Sequence, residues 1–322
     1  MPIMKITVIV CTYNRSGSLE KTLDNLAVSK LPESVHWEVL VVDNNSTDHT
    51  REVAEDFCRR FPGLFRYTFE PQPGKSFALN RGIREAFGDV LAFLDDDLTV
   101  DQTWLQNLTA PLGDGKWSGA GGRTLLAHAF SPPRWMKLEE PYNMGGVLAG
   151  MFDLGGQPCE LDRAPYGGNM AFRKEMFEKY GLFRTDLGPS PNGDVPRANE
   201  DTEFGRRLMA GGERLRYVPS AVVYHPVLKE RIEKSYFLAW HFDCGRAMVH
   251  EWPQGPDVLG ISRRWFRFFK LIGTSFPKRA LLWTVTMNPQ QRFFRKCWLW
   301  RTAGQIVEIY RQCHNAREQA IN

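Results

Sequence analysis

Val90-Leu91-Ala92-Phe93-Leu94-Asp95-Asp96-Asp97 is an apolar run that stops abruptly on three carboxylates. A strand end is a rigid platform, and three adjacent negative charges in a partly buried crevice call for a cation; hard divalent ions such as Mg²⁺ or Mn²⁺ prefer carboxylate oxygen. In extended geometry Asp95 and Asp97 project to one side and Asp96 to the other, so two carboxylates are expected to share one ion. A solvated acidic turn is the plainer alternative.

Upstream of this run, β-branched stretches alternate with amphipathic helical ones, the pattern of a parallel sheet wound with crossover helices. Strands are predicted over Ile6 to Cys11, Glu38 to Val42, Phe65 to Phe69 and Val90 to Leu94. Leu19, Leu23 and Leu26, then Val53, Phe57 and Arg60, and less regularly Phe77, Ile83 and Phe87 recur at helical spacing. Loops at the carboxyl ends of such strands line the ligand crevice. Thr12 to Arg15, Asp43 to Asp48 and Asp95 to Asp97 therefore converge on one rim.

Downstream, Asp114 to Gly168 is dense in glycine and proline and is expected to be irregular, with Gly119 to Leu126 as a strand. Met170 to Phe172, a short helix around Lys174 to Tyr180, a helix from about Glu200 to Ala210 closed by Gly211-Gly212, and a strand Ala221 to Tyr224 follow. After His225 the chain reads as all-helical, punctuated by Pro253, Pro256, Pro277 and Pro289. These shifts divide it into residues 1–225, with halves at about 1–113 and 114–225, and a C-terminal region 226–322.

Several pairs of readings stay open on the residues alone. Asp43 is placed to accept an N–H from a nucleobase, while Ser46, Thr47 or Asp48 serve as a turn and helix cap. Asp201 shares a helix face with Phe204 and Leu208 and so points inward near a helix N-terminus, as a general base would; answering the helix dipole is the other use. Glu200 sits beside it or orients a substrate. Gly167-Gly168-Asn169 permits close approach of a ligand or marks a loop, and His225 is a metal ligand or a polar strand end.

Composition bounds the rest. In 322 residues, 43% hydrophobic and 24% charged content argue against a disordered, collagen-like or coiled-coil chain. Six cysteines without a C-x-x-C pair give neither a zinc ribbon nor a disulfide scaffold and fit a reducing compartment. Ile6 to Val10 is too short for a signal peptide, and Ala280 to Met287 falls far below the about 20 residues of a membrane span. Residues 1–225 carry 25 Lys+Arg against 30 Asp+Glu, net −5, whereas residues 226–322 carry 16 against 7, net +9. Between Val258 and Arg301 lie ten basic residues, ten Trp or Phe and no acid. That composition suits an interfacial membrane segment; a homodimer interface is its competing use, and nucleic acid is not expected without a binding module.

Together the motifs resemble the inverting family 2 glycosyltransferases of the GT-A fold over about residues 4 to 250. The matching stretches are Val8-Ile9-Val10-Cys11-Thr12-Tyr13-Asn14-Arg15, Val41-Val42-Asp43-Asn44-Asn45-Ser46-Thr47-Asp48, Gly74 with Asn80-Arg81-Gly82, Leu94-Asp95-Asp96-Asp97, Gly168 to Arg173, and Glu200-Asp201-Thr202-Glu203. The resemblance implies a Rossmann-like, mostly parallel α/β sheet flanked by helices, with a C-terminal helical appendage. It implies a nucleotide-sugar donor, UDP-linked by preference, at Thr12, Tyr13, Arg15, Asp43, Lys75, Asn80, Asp95 and Asp96. It places a divalent cation (Mn²⁺ or Mg²⁺) at Asp97 and His225, and catalysis at Asp201 with Glu200. The implied acceptor is a saccharide or lipid-linked saccharide near Gly168 and Asn169, used on the cytoplasmic face of a membrane in polysaccharide biosynthesis. No Q-x-x-R-W sequence is present, so a single-addition enzyme fits better than a processive synthase. Asp95-Asp96-Asp97-Leu98-Thr99 also spells D-x-D-x-T, the signature of haloacid-dehalogenase-like phosphatases, and a non-catalytic membrane-bound sugar-binding subunit is a third reading.

Overall fold

The computed structural model describes residues 4–191, 195–196, 198–252 and 262–321. Pro253, Pro256 and Val258 to Ile261 lie outside the described residues. Two compact units divide the chain: Met1–Ala129 with Ala149–Asn192 and Glu200–Val227, and Phe130–Leu148 with Gly193–Asn199 and Leu228–Asn322.

The first unit is an α/β sheet built from β1 (Met4–Thr12), β2 (Val35–Asp43), β3 (Phe65–Phe69), β4 (Val90–Asp95), β5 (Thr99–Val100), β6 (Gly119–Leu126), β7 (Cys159–Glu160), β8 (Asn169–Arg173) and β9 (Leu215–His225). Spatial order is β3-β2-β1-β4-β8-β6-β9-β5, with β7 on β9. The β3-β2-β1-β4 half is wholly parallel, and β6 with β9 adds a long parallel ladder, so most of the pairing is parallel. β8 enters antiparallel between β4 and β6.

Both faces are covered, which is why β4 reads as an unbroken apolar run. Val90, Ala92 and Leu94 join Val8, Val10, Val39 and Val41 against α1 (Ser16–Ala27), α2 (Thr50–Arg60) and α4 (Trp104–Thr109). Leu91 and Phe93 point the other way, with Ile9, Leu40 and Val42, into a core shared with α3 (Lys75–Glu85), α6 (Glu175–Tyr180) and α7 (Glu200–Ala210). Phe204 of α7 stacks on Phe177 of α6 at 4.5 Å between ring centroids. The carboxyl ends of β1, β2 and β4 finish level, Thr12 opposite Asp43 and Cys11 opposite Asp95. That register creates the rim.

Three expectations are corrected here. The strand ending at His225 begins at Leu215, because Leu215, Tyr217 and Val218 continue its buried face ahead of Ala221. Phe87 lies outside α3, which ends at Glu85, and is exposed. The strand β4 ends at Asp95 and the chain turns over Asp96 and Asp97, so strict alternation of the three aspartates fails.

In the second unit, α8 (Lys234–Glu251) packs along α11 (Pro289–Ile321); a short helix α5 (Gly145–Ala149) falls at the boundary between units. The α8–α11 crossing is close because two glycines face it. A Cβ on Gly245 would run into the Arg301 carbonyl oxygen, and one on Gly304 into that of Phe242. Trp135 sits edge-on to Phe237 (5.4 Å) and Phe293 (4.6 Å), tying the 130–148 stretch to both helices. Pro277 does not separate two helices as expected. α9 (Arg263–Lys270), a π-helical turn Leu271–Ser275 and α10 (Phe276–Thr284) form one continuous helical run, the wide turn lying just before the residue that lacks an N–H. Among the described residues no helix is long and apolar enough to cross a membrane.

Glu308 joins the two long helices electrostatically. It accepts hydrogen bonds from Arg246 Nε (3.0 Å) and pairs with His250 Nε2 (2.9 Å). Burial alone would push its carboxyl up, but the hydrogen bonds and charges of His250 and Arg246 outweigh burial and hold it at about 2. A depressed carboxyl adds stability that is present above its ordinary value near 4.5 and is lost as pH falls toward 2. Glu308→Gln is expected to cost about 2 kcal/mol at pH 7 in chemical denaturation. The deficit should shrink below pH 4; a deficit constant down to pH 2.5 would contradict the assignment.

Candidate active site

Five carboxylates gather at the rim, and two cations pair with four of them. Asp95, the last residue of β4, pairs through Oδ1 with Lys75 Nζ at 2.7 Å; Glu200 Oε1 lies 3.9 Å from the same ammonium. Arg15 Nη1 reaches Asp96 Oδ1 at 3.0 Å and Asp97 Oδ2 at 2.8 Å. The turn after β4 therefore brings Asp96 and Asp97 to one guanidinium and leaves Asp95 to the lysine.

The surroundings pull these groups apart in acidity. Burial, reinforced by the Asp201 charge and opposed by Lys75, raises Glu200 to about 7. Burial also raises Asp96 to about 6, with Arg15 opposing it and Asp97 adding to it. Asp95 is held below the ordinary range, since Lys75 outweighs its burial. Lys75 itself is raised, the charges of Asp95 and Glu200 overcoming the effect of burial.

Asp201, in the first turn of α7, spends both oxygens on donors. Oδ2 accepts from Gly167 N at 2.5 Å; Oδ1 accepts from Thr202 N at 2.6 Å and Thr202 Oγ1 at 3.1 Å. The two glycines before β8 are required for this closeness. A Cβ on Gly167 would lie 3.1 Å from Asp201 Oδ2, and one on Gly168 would lie 2.9 Å from Asp95 Oδ2. Gly168 thus joins the carboxylate cluster.

His225, at the end of β9, places Nε2 3.8 Å from Asp97 Oδ1. Its Nδ1 lies 2.7 Å from the Pro226 carbonyl oxygen. That oxygen can only accept, so Nδ1 carries a proton; in a neutral ring this leaves the lone pair on Nε2, the nitrogen on the Asp97 side. Among the described residues no three His, Cys, Asp or Glu side chains form a ligand set. Asp97 and His225 are a carboxylate and an imidazole side by side, two donor types that bind divalent cations.

The other rim residues are fixed by loop-to-loop bonds. Asp43, buried at the end of β2, accepts from Ser46 N (2.9 Å) and Tyr67 Oη (3.1 Å). Thr12 is buried beside it and Tyr13 is exposed. Asn14 Oδ1 takes Thr47 N at 2.7 Å, and Asp48 accepts from Ser16 N and Thr50 N, so one aspartate caps both α1 and α2. Sequence reasoning missed Asn44, whose amide donates to Gln72 O (2.7 Å) and accepts from Gly74 N (2.7 Å), fixing the loop that delivers Lys75.

Two expected ligands do not reach the rim. Asn80 is buried and its amide pairs with the Phe183 backbone, donating to O at 2.8 Å and accepting from N at 3.0 Å. Asn169 accepts from Trp104 Nε1 (2.9 Å) and donates to the Arg123 and Ala221 carbonyls. Both asparagines are buried and join strands and loops that one-dimensional spacing cannot show to be adjacent.

The sequence model of the family described as "Glycosyl transferase family 2" matches residues 7–181. The succinoglycan biosynthesis protein ExoM of Rhizobium meliloti is 29% identical over 266 residues, 81% of this chain and 79% of that one. A glucosyl-dolichyl phosphate glucuronosyltransferase of Haloferax volcanii is 28% identical over 260 residues, 79% of this chain and 80% of that one. Among solved structures, a mannosyltransferase of Pyrobaculum calidifontis in complex with GDP-Man and Mn²⁺ superposes with a TM-score of 0.60 at 21% identity, covering 94% of this chain and 86% of that one. That likeness is one of fold: the GT-A arrangement of sheet and flanking helices.

Removing the lysine tests the charge balance. Lys75→Met leaves Asp95 and Glu200 without their shared cation. The expected cost is about 2 kcal/mol, below the figure for a fully buried pair because both partners of the Lys75–Asp95 bridge retain part of their exposure. Glu200, raised above its ordinary value, keeps its proton below about 7 and acquires its cost as pH rises through that point. The deficit in denaturation should therefore be larger at pH 8 than at pH 5.5. Equal deficits would show that Glu200 does not share the lysine.

Proposed function

Because the chain belongs to glycosyl transferase family 2, we propose that it transfers one sugar, with inversion, from a nucleoside-diphosphate sugar to a hydroxyl of a saccharide or lipid-linked saccharide. The observation that carries this reading is the cluster of Asp95, Asp96, Asp97, Glu200 and Asp201, compensated by Lys75 and Arg15, at the carboxyl ends of the parallel strands. Residues 1–225 then form the catalytic domain, with a nucleotide half of about 1–113 and an acceptor half of about 114–225; residues 226–322 form the appendage. UDP is the preferred nucleotide; TarS of S. aureus, a GT-A neighbour with a TM-score of 0.53, was crystallised with UDP-GlcNAc, while the mannosyltransferase carries GDP-Man.

In this mechanism Thr12, Tyr13 and Asp43 border the nucleobase and Asp95 the ribose, with Lys75, Arg15 and Asp96 setting the charge around the donor. The acceptor oxygen attacks the anomeric carbon while its proton passes to a carboxylate oxygen of Asp201. The anomeric carbon–oxygen bond breaks and its electron pair leaves on the diphosphate, so a single displacement inverts the centre. Gly167 N–H and Thr202 orient Asp201, and Glu200 beside it positions the acceptor. Asp97 and His225 would hold a divalent cation, which when bound stabilises the charge on the departing diphosphate as a Lewis acid.

The D-x-D-x-T reading does not survive the family assignment; that signature belongs on a first strand, and β4 is the fourth. For the acceptor, similarity to a glucosyl-dolichyl phosphate glucuronosyltransferase supports a lipid-linked saccharide, and similarity to ExoM supports polysaccharide biosynthesis. The proposed location is accordingly peripheral, on the cytoplasmic face of a membrane.

Two variants test the roles. Asp201→Asn keeps the size and one of the two acceptor oxygens but accepts no proton, so release of nucleoside diphosphate in the presence of acceptor is expected to fall by about 10² to 10⁴ with donor binding retained. Asp97→Ala should abolish the Mn²⁺-dependent part of the thermal shift given by UDP; at 100 times Kd that shift corresponds to about 2.7 kcal/mol in the unaltered protein. Near-normal turnover in the first variant, or an intact Mn²⁺-dependent shift in the second, would remove that residue from its role.

A further inference from the structure

Large apolar side chains left exposed are concentrated in one short stretch. Of fourteen such residues among those described, seven lie between Phe266 and Met287: Phe266, Phe269, Ile272, Leu281, Leu282, Val285 and Met287. Phe269, Leu281 and Met287 are 59%, 63% and 89% exposed. Phe266 and Phe269 are one turn apart on α9, and Val285, the residue that ends α10, lies one turn after Leu281. These helices belong to one continuous run whose other side is bound to α11: Arg279 donates to the Trp298 carbonyl and Thr302 Oγ1, and Arg295 of α11 donates to the Leu282 carbonyl.

The structure also sorts the aromatic and basic residues that composition alone pools together. Phe293 is buried against Trp135 and Phe237, and Phe294 lies against Tyr142, so these rings serve the unit's own packing. Arg267 lies over Trp252, and Arg292 and Lys296 over Trp283. Arg263, Lys270 and Lys278 are exposed along the same run as the apolar residues, and no acidic residue occurs between 262 and 301.

We propose that the helical run Arg263–Thr284, with Val285 and Met287 beyond it, is the element that seats this protein on an anionic lipid bilayer. It would lie in the interface plane with Phe269, Leu281, Val285 and Met287 in the acyl boundary. Charge complementarity selects this occupant: apolar residues flanked by cations and free of acids match a surface that is apolar below and negative above. The run is about 33 Å long at 1.5 Å per residue, and the cations Arg263, Arg264, Arg267, Lys270, Lys278 and Arg279 along it suit it to lying on a bilayer rather than crossing it. This deepens the lipid-linked acceptor reading by naming the surface on which such an acceptor would be met. It rests on that reading for its purpose and not for its observations.

Flotation of the full chain with phosphatidylcholine vesicles, with and without phosphatidylglycerol, tests it. Binding is expected to anionic vesicles and to be at least about 10-fold weaker to neutral ones. The triple variant F269S/L281S/V285S should lose about 10-fold or more of that binding with its thermal midpoint and its Mn²⁺-dependent UDP shift unchanged. A protein that shows the UDP shift yet floats with neither vesicle overturns the membrane element alone; one that floats but binds no nucleotide overturns the transfer reading alone. Equal binding to neutral and anionic vesicles, loss of flotation when RNA is added at equal charge, or a solution dimer that the triple variant dissociates while the unaltered protein does not float, each overturns the proposal.

Discussion

Like-charge repulsion at one edge of the sheet is the constraint around which the first unit is built. A parallel sheet buried on both faces delivers its polar loops to the same rim, and here those loops bring five carboxylates within reach of one another. Left alone, such groups would take up protons or force the loops apart. The fold supplies two cations instead. Lys75 comes from the start of α3 and Arg15 from the residue that opens α1, so two of the crossover helices that cover the sheet also carry a counter-charge to its edge. The compensation is uneven: Asp95 stays firmly ionised, while Glu200 and Asp96 are pushed toward neutrality by burial. Environments that split neighbouring carboxylates in this way are a physical mark of a reactive site.

Much of this was legible in the sequence because it is written at short range. Apolar runs ended by polar residues locate β1, β2 and β4 and the loops beyond them, since each signal is contained in fewer than ten residues. Asp43, Asp95, Asp97, Asp201 and His225 could be picked out because each stands at the end of such an element. Asn80 and Asn169 were misread for the opposite reason. Their partners, Phe183, Trp104, Arg123 and Ala221, lie between 46 and 103 positions away, and only the folded chain reveals that their amides are bonded within the fold. Asn44 escaped notice on the same ground, its role being to hold a loop about 30 residues on.

The second unit follows different rules, and its sequence is correspondingly harder to read. α8 and α11 meet at Gly245 and Gly304, where backbone approaches backbone, so part of the contact carries no side-chain periodicity to detect. Polar residues also fill the interface: Glu308, Gln305 and His241 are buried there. A helix pair held by an ion network and a close glycine crossing departs from the apolar stripe that sequence patterns depend on.

Charge compensation separates the two units more sharply than composition does. The negative excess of residues 1–225 is turned inward at the rim, where Lys75 and Arg15 answer it from within the chain. The positive excess of residues 226–322 is only partly answered: Glu308 takes Arg246, and Trp252 and Trp283 lie under Arg267, Arg292 and Lys296. Arg263, Lys270 and Lys278 share their helical run with the largest exposed apolar residues and with no acid. A surface that is both cationic and apolar is unfavourable in water on the second count and tolerable on the first, so it is best satisfied by a partner that offers negative charge and hydrocarbon together. A protein partner would have to build that combination residue by residue, whereas an anionic bilayer presents it everywhere.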